Sequence, residues 1–406
     1  MGKHILVISQ YFYPENFRIN DMCIEWVKRG YKVTVVTGIP NYPQGKFYKG
    51  YGLFKKRKEI YKGVEIVRLP IFSRGKGKIK LALNYFSFVL SGWFWKVFTK
   101  IKPDLVFIFE VSPMTQALPG VWLANRRKIP CYLYVQDLWP ENLQIVGGIN
   151  NKHILKRVGK MVDKIYSKST KILVTSNSFK DSIEKRGVNP EKVVYWPQYA
   201  EDFYIPSEKA KERSEVFKVI FTGNIGKAQG LEILPKVSKK LKENGYEEKI
   251  KFIIVGDGRN KESLVLDIET QNVESMFEFL GHRKPAEIPN LLYEADTAFL
   301  SFSDNELFKM TLPAKLQTYM ACGKPILAVA SGETENIINE AVCGFVSKPA
   351  DIDALYDNII KMMNLKHSDL EKLSINASEF AKKSFDKKDL MDKFDEYIYE
   401  GVLWDV

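Results

Sequence analysis

The chain has 406 residues, 45% of them apolar and 27% charged, and this balance excludes an intrinsically disordered or fibrous protein. Its net charge of +12 is unevenly distributed, because residues 1–200 carry 34 Lys and Arg against 13 Asp and Glu, whereas residues 201–406 carry 27 against 36. The basic first half predicts an anionic partner surface, either a nucleic acid or the cytoplasmic leaflet of a membrane, unless its lysines are simply solvated.

The length and the cysteine content indicate the number of domains and the kind of protein. A chain of this size is expected to form two domains, each with its own core. The cysteines are scattered without a CxxC pair and there are only four histidines, so we predict reduced, buried thiols, no metal site and a cytoplasmic protein. The N-terminal apolar run is too short and too strand-like for a signal peptide, so export is not expected.

Short apolar runs alternate with helix-length segments along the chain, which predicts an α/β protein with two doubly wound, parallel-sheet domains. The runs are HILVIS, KVTVVTG, VEIVRLP, DLVFIFE, CYLYVQD, KILVTS and VVYWPQ, then KVIFTG, KFIIVGDG, FEFLG, TAFLSF and PILAVA. A polar stretch at residues 198–216 indicates a linker. We predict domains at residues 1–200 and 201–380, with a C-terminal helix at 381–406 that packs back on the first domain and a ligand cleft between the domains.

One uncharged segment, Leu81–Trp95, is flanked by lysines on both sides. These are Lys76, Lys78 and Lys80 before it, and Lys96, Lys100 and Lys102 after it. The segment is too short to cross a bilayer, which takes about 20 apolar residues. It predicts either a helix in the membrane interface, with tryptophans at headgroup level and lysines on anionic lipid, or a buried helix of the first domain.

Two glycine turns follow predicted strands in the second half. The first, GNIGKAQG from Gly223 to Gly230, lacks the GK[ST] ending of a P-loop, and the second, at Gly256, has Lys261 where a dinucleotide fingerprint has its third glycine. A strand that leads through a glycine turn into a helix is typical of an anion site. Lys227 is the one charged residue of the first turn.

The stretch TLPAKLQTYMACGKP predicts a short helix that Thr311 caps, with Pro313 in its first turn and Gly323 at its end. Lys315 then lies in the first turn, where the helix dipole repels a cation unless an anion binds between them. We expect Lys227 and Lys315 to stabilise a diphosphate leaving group together, with ammonium groups and backbone amides in place of a metal ion.

Longer stretches resemble the family 4 glycosyltransferases of the GT-B fold, and in particular the bacterial N-acetyl-L-fucosamine transferases of O-antigen and capsule assembly. The stretches, which together extend over nearly the whole chain, are QYFYPENFRINDM, TGIPNYPQGK, QDLWPENL, FTGNIGKAQGLEIL, LPAKLQTYMACGKPILA and SGETENIINEAVCGF. The resemblance implies two Rossmann-like domains facing each other across a cleft, a UDP-sugar donor, an undecaprenyl-diphosphate-linked saccharide acceptor, and retention at the anomeric carbon.

The chain departs from the broad family at four positions. An Arg and a Lys of the family's first donor-domain turn are replaced by Asn224 and Gln229, and two glutamates are replaced by Met310 and Thr318. These changes indicate either a different donor sugar, such as a 6-deoxy L-sugar, or an inactive homologue. The retained lysines and glycine turns favour a different sugar.

For the first domain, the resemblance implies that the YPENFRIN and NYPQG loops line the acceptor side. Asn16 and Arg18 are the candidate acceptor contacts, and Arg18 is alternatively a contact to the donor phosphates. Asp137 would take the acceptor hydroxyl proton or stabilise the oxocarbenium-like sugar, unless it caps the next helix. Glu141, grouped with the acceptor contacts, is a weaker candidate for the same role.

For the second domain, the resemblance implies that His282 and Arg283 meet the uracil. Glu333 and Glu335 would replace the missing glutamate at the ribose, unless they are acidic residues that the helix dipole favours. The predicted donor contacts are Gly223, Asn224, Gln229, Gly256, Arg283, Thr318, Glu333 and Glu335.

The sequence therefore predicts an enzyme that moves a sugar, N-acetyl-L-fucosamine by resemblance, from UDP to a lipid-linked saccharide in capsule or O-antigen synthesis. It would act at the inner face of the bacterial membrane, with the Leu81–Trp95 segment on anionic lipid. The alternatives are a UDP-sugar 2-epimerase, which needs more carboxylates and histidines, and a non-catalytic membrane-associated UDP-sugar-binding homologue. No nucleic-acid partner is expected, because no aromatic–basic motif or recognition helix accompanies the charge.

Overall fold

The polypeptide forms two α/β units. The computed structural model describes residues 2–75, 77–207 and 215–400. The first unit is Met1–Trp196 with Phe394–Val406, and the second is Pro197–Lys393. The chain therefore changes units at Trp196 and Lys393, where the predicted boundaries are residues 200 and 380. Lys76, residues 208–214 of the predicted linker and residues 401–406 lie outside the described residues.

The first unit is built on an eight-stranded sheet. Its strands are β1 (His4–Ile8), β2 (Lys32–Gly38), β3 (Lys58–Tyr61), β4 (Val64–Leu69), β5 (Leu105–Glu110), β6 (Cys131–Val135), β7 (Lys171–Val174) and β8 (Val193–Tyr195). They lie in the order β3-β4-β2-β1-β5-β6-β7-β8, and only β3 and β4 pair antiparallel. The predicted strands of this half are confirmed. The additional strand, β3, is a short edge strand whose residues KEIY are half-buried or exposed, so it carries no apolar run.

Helices connect and cover these strands. They are α1 (Arg18–Lys28), α2 (Lys78–Phe98), α3 (Leu118–Arg127), α4 (Glu141–Ile145), α5 (Lys152–Lys168) and α6 (Asn177–Glu184). The last helix of the chain, α15 (Lys387–Glu400), reaches the first unit from Phe394 onward.

Aromatic packing attaches the end of α15 to the first unit. Phe394 is fully buried and its ring centroid lies 4.9 Å from that of Trp26 and 5.3 Å from that of Phe107. Asp395 accepts from Arg29 at 2.7 Å and from the hydroxyl of Tyr31 at 2.9 Å. Burial of a phenylalanine contributes about 2–3 kcal/mol, so Phe394 stabilises this attachment more than the partly exposed ion pair does.

The second unit is built on a six-stranded parallel sheet. Its strands are β9 (Phe217–Thr222), β10 (Ile250–Val255), β11 (Phe277–Gly281), β12 (Thr297–Ser301), β13 (Ile326–Val329) and β14 (Gly344–Ser347), in the order β11-β10-β9-β12-β13-β14. Its helices are α7 (Ile233–Glu243), α8 (Lys261–Thr270), α9 (Ile288–Glu294), α10 (Glu306–Met310), α11 (Ala314–Ala321), α12 (Glu333–Ala341), α13 (Ile352–Met363) and α14 (His367–Ser384). Neighbouring residues of β9, such as Ile220 and Phe221, enter separate hydrophobic cores, as the two-residue period of a strand requires.

Each sheet has a point at which neighbouring strands lead outward along the chain in opposite directions across the sheet. In the first unit this point lies between β1 and β5, and in the second it lies between β9 and β12. Open α/β sheets bind ligands outside the carboxyl ends of the strands at such a reversal. The residues that directly follow these strands are therefore the candidates for ligand contacts.

Candidate functional site

Two glycine turns, after β9 and β10, lie backbone against backbone. Gly223 and Gly256 have φ angles of 135° and 138°. A Cβ on Gly256 would lie 1.8 Å from the carbonyl oxygen of Gly223, and one on Gly258 would lie 2.2 Å from that of Ile225. Only glycine fits this approach. Gly256, predicted as a donor contact, therefore also has a packing role that holds the first turn in place.

Lys315 brings its ammonium group to the first glycine turn. It lies in the first turn of α11, as predicted, with Nζ 4.0 Å from the centroid of the Phe221 ring and 3.3 Å from the position of a Cβ on Gly223. This Nζ is buried and has no hydrogen-bond partner among the described residues. Burial lowers the pKa of Lys315 to about 7. A buried, unpaired ammonium is costly, so an anion at this position would be stabilised strongly.

Tyr319, which the sequence analysis missed, anchors α11 to the end of β9. Its buried hydroxyl accepts the backbone N–H of Thr222 at 2.9 Å and lies 3.1 Å from the hydroxyl of the same residue. Tyr319 follows Lys315 by one helical turn, so the two side chains share a face of α11. This anchor fixes where the Lys315 ammonium lies relative to the glycine turn.

Lys227, Asn224 and Gln229 belong to the same turn, but they differ in exposure. Lys227 and Asn224 are exposed, whereas Gln229 is half-buried and its Oε1 accepts from the backbone N–H of Gly226 at 3.1 Å. The carbonyl oxygen of Ala228 accepts from the backbone N–H of Ser303, which follows β12. The turn is thus held across the reversal point of the sheet, and Gln229 helps to shape it from inside.

The predicted cap of α11 is wrong. Thr311 instead ends the short helix α10, which the sequence analysis missed, and its hydroxyl donates to the carbonyl oxygen of Leu307 at 2.8 Å. Helix α11 begins at Ala314, directly after Pro313, and no described side chain caps it. Its end at Gly323, with φ of 62°, is confirmed.

The other predicted donor contacts lie around the same sheet. Thr318 is buried on α11 and its hydroxyl donates to the carbonyl oxygen of Ala314 at 3.2 Å. Arg283 is exposed in the segment after β11. Glu333 is buried at the start of α12, whereas Glu335, in the first turn of the same helix, pairs with Lys348 at 2.7 Å. The ion pair gives Glu335 a structural partner of its own.

Asp137 lies in a polar site of the first unit, directly after β6. Its Oδ2 accepts from the backbone N–H of Ser112 at 2.7 Å, and the indole N–H of Trp139 donates to the Ser112 hydroxyl at 3.2 Å. No described side chain caps α4. The alternative that Asp137 caps the next helix is therefore wrong. Burial raises the pKa of Asp137, although the Ser112 bonds offset part of this effect.

Glu110, which the sequence analysis missed, is a second carboxyl group beside Asp137. It ends β5, is fully buried, and neither of its carboxyl oxygens has a hydrogen-bond partner of ordinary geometry among the described residues. Burial raises the pKa of Glu110 well above its usual value and the charge of Asp137 raises it further, although the backbone N–H groups of Asp137 and Gln136 offset part of this effect. Two close carboxylates do not both ionise readily, so this pair can hold a proton. The acidic end of an otherwise apolar strand, DLVFIFE, was the available signal.

Glu15 joins the two loops that the resemblance places on the acceptor side. Its buried carboxyl group accepts from the backbone N–H groups of Asn41 at 2.7 Å, Tyr42 at 2.6 Å and Phe12 at 3.3 Å. Burial nevertheless raises the pKa of Glu15 to about 7. The YPENFRIN and NYPQG loops are therefore held together by one carboxyl group.

The predicted acceptor contacts lie close to Glu15 or to Asp137 in the sequence. Asn16 is exposed in the loop after β1, and Arg18 is the partly buried first residue of α1. Burial raises the pKa of the Tyr134 hydroxyl on β6, and the charge of Arg18 offsets part of that effect, so Arg18 lies close to it. Glu141 is the first residue of α4.

Metal ligands, membrane-spanning helices and cysteines can be assessed within the described residues. These residues hold no cluster of three or more His, Cys, Asp or Glu that could bind a metal ion. No helix in the described ranges is long and apolar enough to cross a bilayer. The four cysteines are buried and not joined in disulfides, which confirms the prediction of buried thiols.

Comparison with known proteins assigns each half of the chain to a family. Residues 17–198 match the model described as Glycosyltransferase Family 4, and residues 205–383 match the model described as Glycosyl transferases group 1. The chain is 25% identical over 404 residues to WcaI of Escherichia coli K12, which is named for a glycosyl transferase role in colanic acid biosynthesis, with 91% of this chain and 93% of WcaI covered.

Solved structures show the same fold. Sucrose-phosphate synthase from Thermosynechococcus elongatus has a TM-score of 0.75 at 14% identity, with both chains fully covered. Anabaena HepE, solved in complex with UDP and glucose, has a TM-score of 0.70 at 16% identity, with 98% of this chain and 100% of HepE covered. Two parallel-sheet units, two family matches and these neighbours lead to one assignment: the chain belongs to the family 4 glycosyltransferases and has the GT-B fold.

Proposed function

We propose that the protein transfers a sugar from a UDP-sugar to a lipid-linked saccharide in the synthesis of a bacterial capsule, O-antigen or related surface polysaccharide. The name of WcaI supports the polysaccharide context, and the UDP complex of HepE supports the nucleotide. The observation that carries the proposal is the buried, unpartnered Nζ of Lys315 beside Gly223, at the reversal point of the second sheet.

The donor diphosphate would lie between the first turn of α11 and the first glycine turn. Lys315 supplies a preorganised cation from α11, and Lys227 supplies a second cation from the exposed side of the glycine turn. Negative charge grows on the diphosphate as the glycosidic bond breaks, so fixed cations stabilise the transition state more than the intact donor. The proposed reaction therefore runs without a metal ion.

The carboxyl pair of the first unit would handle the proton and the positive charge. Asp137, held by the backbone of Ser112, takes the proton of the acceptor hydroxyl or stabilises the oxocarbenium-like sugar. The neighbouring Glu110 is neutral when Asp137 is ionised, because burial and the charge of Asp137 both favour the protonated form of Glu110. Retention at the anomeric carbon is part of the proposal, as the resemblance implies.

N-acetyl-L-fucosamine is the proposed sugar. Its support is the resemblance of the glycine turn and the α11 stretch to the fucosamine transferases. Asn224 and Gln229 replace charged residues there. Gln229 is half-buried and shapes the turn, so the site loses these charges but keeps the conformation of the turn. The departures at Met310 and Thr318 remove carboxylates that would contact sugar hydroxyls, which fits a donor with fewer hydroxyl groups.

Helix α2 supports a peripheral membrane location. Its outward stripe is apolar, with the exposed residues Ile79, Leu83, Phe86, Leu90, Trp93, Phe94, Val97 and Phe98. Its inner face buries the polar residues Asn84 and Ser87, which bond the backbone around Phe72. A helix whose outward face is apolar is suited to lie in a membrane interface, and its flanking lysines complement anionic lipid.

Donor turnover tests the proposal. Lys227→Ala should reduce transfer or hydrolysis of UDP-N-acetyl-L-fucosamine at least about 10²-fold, the scale of losing one oxyanion-type donor. Lys236→Ala, which removes an exposed lysine of α7, is the matched control and should retain full activity. Wild-type turnover in Lys227→Ala, or activity that EDTA abolishes and magnesium restores, would contradict the mechanism.

Two measurements separate the alternatives. A 2-epimerase would convert the donor alone into an epimer that NMR detects, whereas a transferase would transfer or hydrolyse the donor sugar without epimerising it. A non-catalytic UDP-sugar-binding homologue would give calorimetric heat with UDP but would not turn over the donor. A thermal-shift panel of UDP- and GDP-sugars identifies the donor, because a ligand that binds the folded state raises the Tm.

A further inference from the structure

A second apolar tip projects from the first unit, far from α2 in sequence. Leu53 and Phe54 are 46% and 96% exposed at the end of a tight turn. The turn is closed by an isolated β-bridge between Gly52 and Lys55, whose backbone N–H donates to the Gly52 carbonyl oxygen at 3.2 Å. A phenylalanine that is almost wholly in solvent contributes nothing to the core, and Leu53 beside it extends the exposed apolar surface.

Side-chain contacts hold the Leu53–Phe54 turn in this exposed position. Arg57 donates from Nη1 to the carbonyl oxygen of Leu53 at 3.0 Å, and from Nε to that of Arg68 at 2.5 Å. Tyr51 lies under two cations, with Lys56 Nζ and Arg68 Cζ each 4.9 Å from its ring centroid. A preordered tip loses little conformational entropy when it binds, which favours a contact role.

Basic residues flank the tip on both sides along the chain, and they are called the basic collar below. Between residues 46 and 62 the basic residues are Lys46, Lys49, Lys55, Lys56, Arg57, Lys58 and Lys62. The one acidic residue of this range, Glu59, pairs with Arg68 at 3.0 Å. An apolar tip inside a basic collar complements a surface with an anionic outer layer and an apolar interior, which is the profile of an anionic lipid leaflet.

The turn and α2 are fastened to the same end of β4. Arg57 bonds the carbonyl oxygen of Arg68, and Ser91 of α2 donates to that of Pro70 at 2.5 Å. Positions 68 and 70 are at most about 7 Å apart along the chain. Phe72, 65% exposed, follows directly and its backbone N–H donates to the Ser87 hydroxyl of α2 at 3.0 Å. The two apolar elements are therefore neighbours within one unit.

We infer that the Leu53–Phe54 turn is a second membrane-inserting element, which enters an anionic leaflet beside α2 and fixes the rotation of the first unit on the lipid surface. The inference rests on the proposed membrane association of α2. One helix in the interface leaves the protein free to roll about its axis, whereas a second point of insertion removes this freedom. The acceptor side of the first unit would then keep a constant height above the leaflet.

Single-cysteine labelling tests the inference, because the four native cysteines are buried. An environment-sensitive fluorophore is placed at Phe54→Cys, at Leu90→Cys on α2, and at Leu266→Cys, an exposed apolar position of the second unit. On vesicles of phosphatidylglycerol and phosphatidylcholine, the labels at 54 and 90 should shift to the blue and be quenched by brominated lipid, whereas the label at 266 should not. Vesicles of phosphatidylcholine alone should give weaker signals at 54 and 90.

The collar is tested separately. Lys55→Gln with Lys56→Gln should weaken binding to the anionic vesicles about 30-fold, from roughly fivefold per lysine near the surface. Lys239→Gln with Lys240→Gln on α7 is the matched control and should leave binding unchanged.

The outcomes distinguish the inference from the proposed function. Insertion at 90 without insertion at 54 overturns the second element and leaves the α2 location intact. Absence of insertion at both positions overturns the inference together with the membrane part of the proposed function. Hydrolysis of the UDP-sugar without vesicles, measured in the same variants, reports on the transfer chemistry independently.

Discussion

The buried ammonium of Lys315 predicts that UDP binding is coupled to proton uptake. Burial lowers the pKa of this lysine to about 7 from its ordinary 10.5. An anion within contact distance favours the charged form and would return the pKa toward its ordinary value. At about pH 8 the free site is roughly 10% protonated and the bound site is almost fully protonated, so binding should take up about 0.9 proton.

The same linkage gives an expected change in affinity. Between about pH 7 and pH 9 the Kd for UDP should rise about 50-fold, or roughly 2.3 kcal/mol, because the free site loses its charge over this range. The phosphate groups of UDP are already largely ionised there, since their last pKa is about 6. Isothermal titration calorimetry in two buffers of different ionisation enthalpy measures both the proton uptake and the Kd.

Two variants provide the controls for Lys315. Lys315→Met should bind UDP weakly at both pH values, with no linked proton. Lys227→Met, which removes the exposed lysine, should lose affinity by the same factor at both pH values and keep the pH slope. A wild-type Kd that is constant from pH 7 to pH 9, or an equal slope in Lys315→Met, would refute the assignment of Lys315 as the buried cation of the site.

The remaining predictions concern backbone packing and the carboxyl pair. Gly256→Ala should lower the free energy of unfolding by about 3 kcal/mol or more, because its Cβ would lie 1.8 Å from the Gly223 carbonyl oxygen. Gly245→Ala, with φ of 78° and open space around it, should cost only about 1 kcal/mol in urea denaturation; equal losses would contradict the packing role of Gly256. Glu110→Gln should raise the free energy of unfolding by an amount that is small near pH 4 and grows as pH rises. The sign follows because the folded-state pKa of Glu110 is raised, so the unfolded chain releases this proton first and the folded state is penalised at higher pH. A stability difference that does not change between pH 4 and pH 8 would count against a buried, protonated Glu110.

Short-range sequence patterns, such as apolar runs and helix-boundary residues, account for most of what the sequence could predict. A buried parallel strand reads as a short apolar run, so the principal strands of both sheets were predictable, whereas β3 and β14 carry no such run. Lys315 was placed in the first turn of a helix because Pro313 and Gly323 mark the helix boundaries. The capping role of Thr311 was wrong because α10 uses that residue at its end.

The amino-acid sequence by itself determined the α/β class, the glycine turns and the two lysines, because each of these depends on residues that are close together in the chain. The tertiary structure alone decided that Glu110 lies beside Asp137, that Tyr319 locks α11 to β9, and that Glu15 joins two loops. It also decided which face of α2 is turned outward. The first three features arise where strand ends from distant parts of the chain meet at one sheet edge, and residue order along the chain does not specify which side chains then share a low-dielectric space.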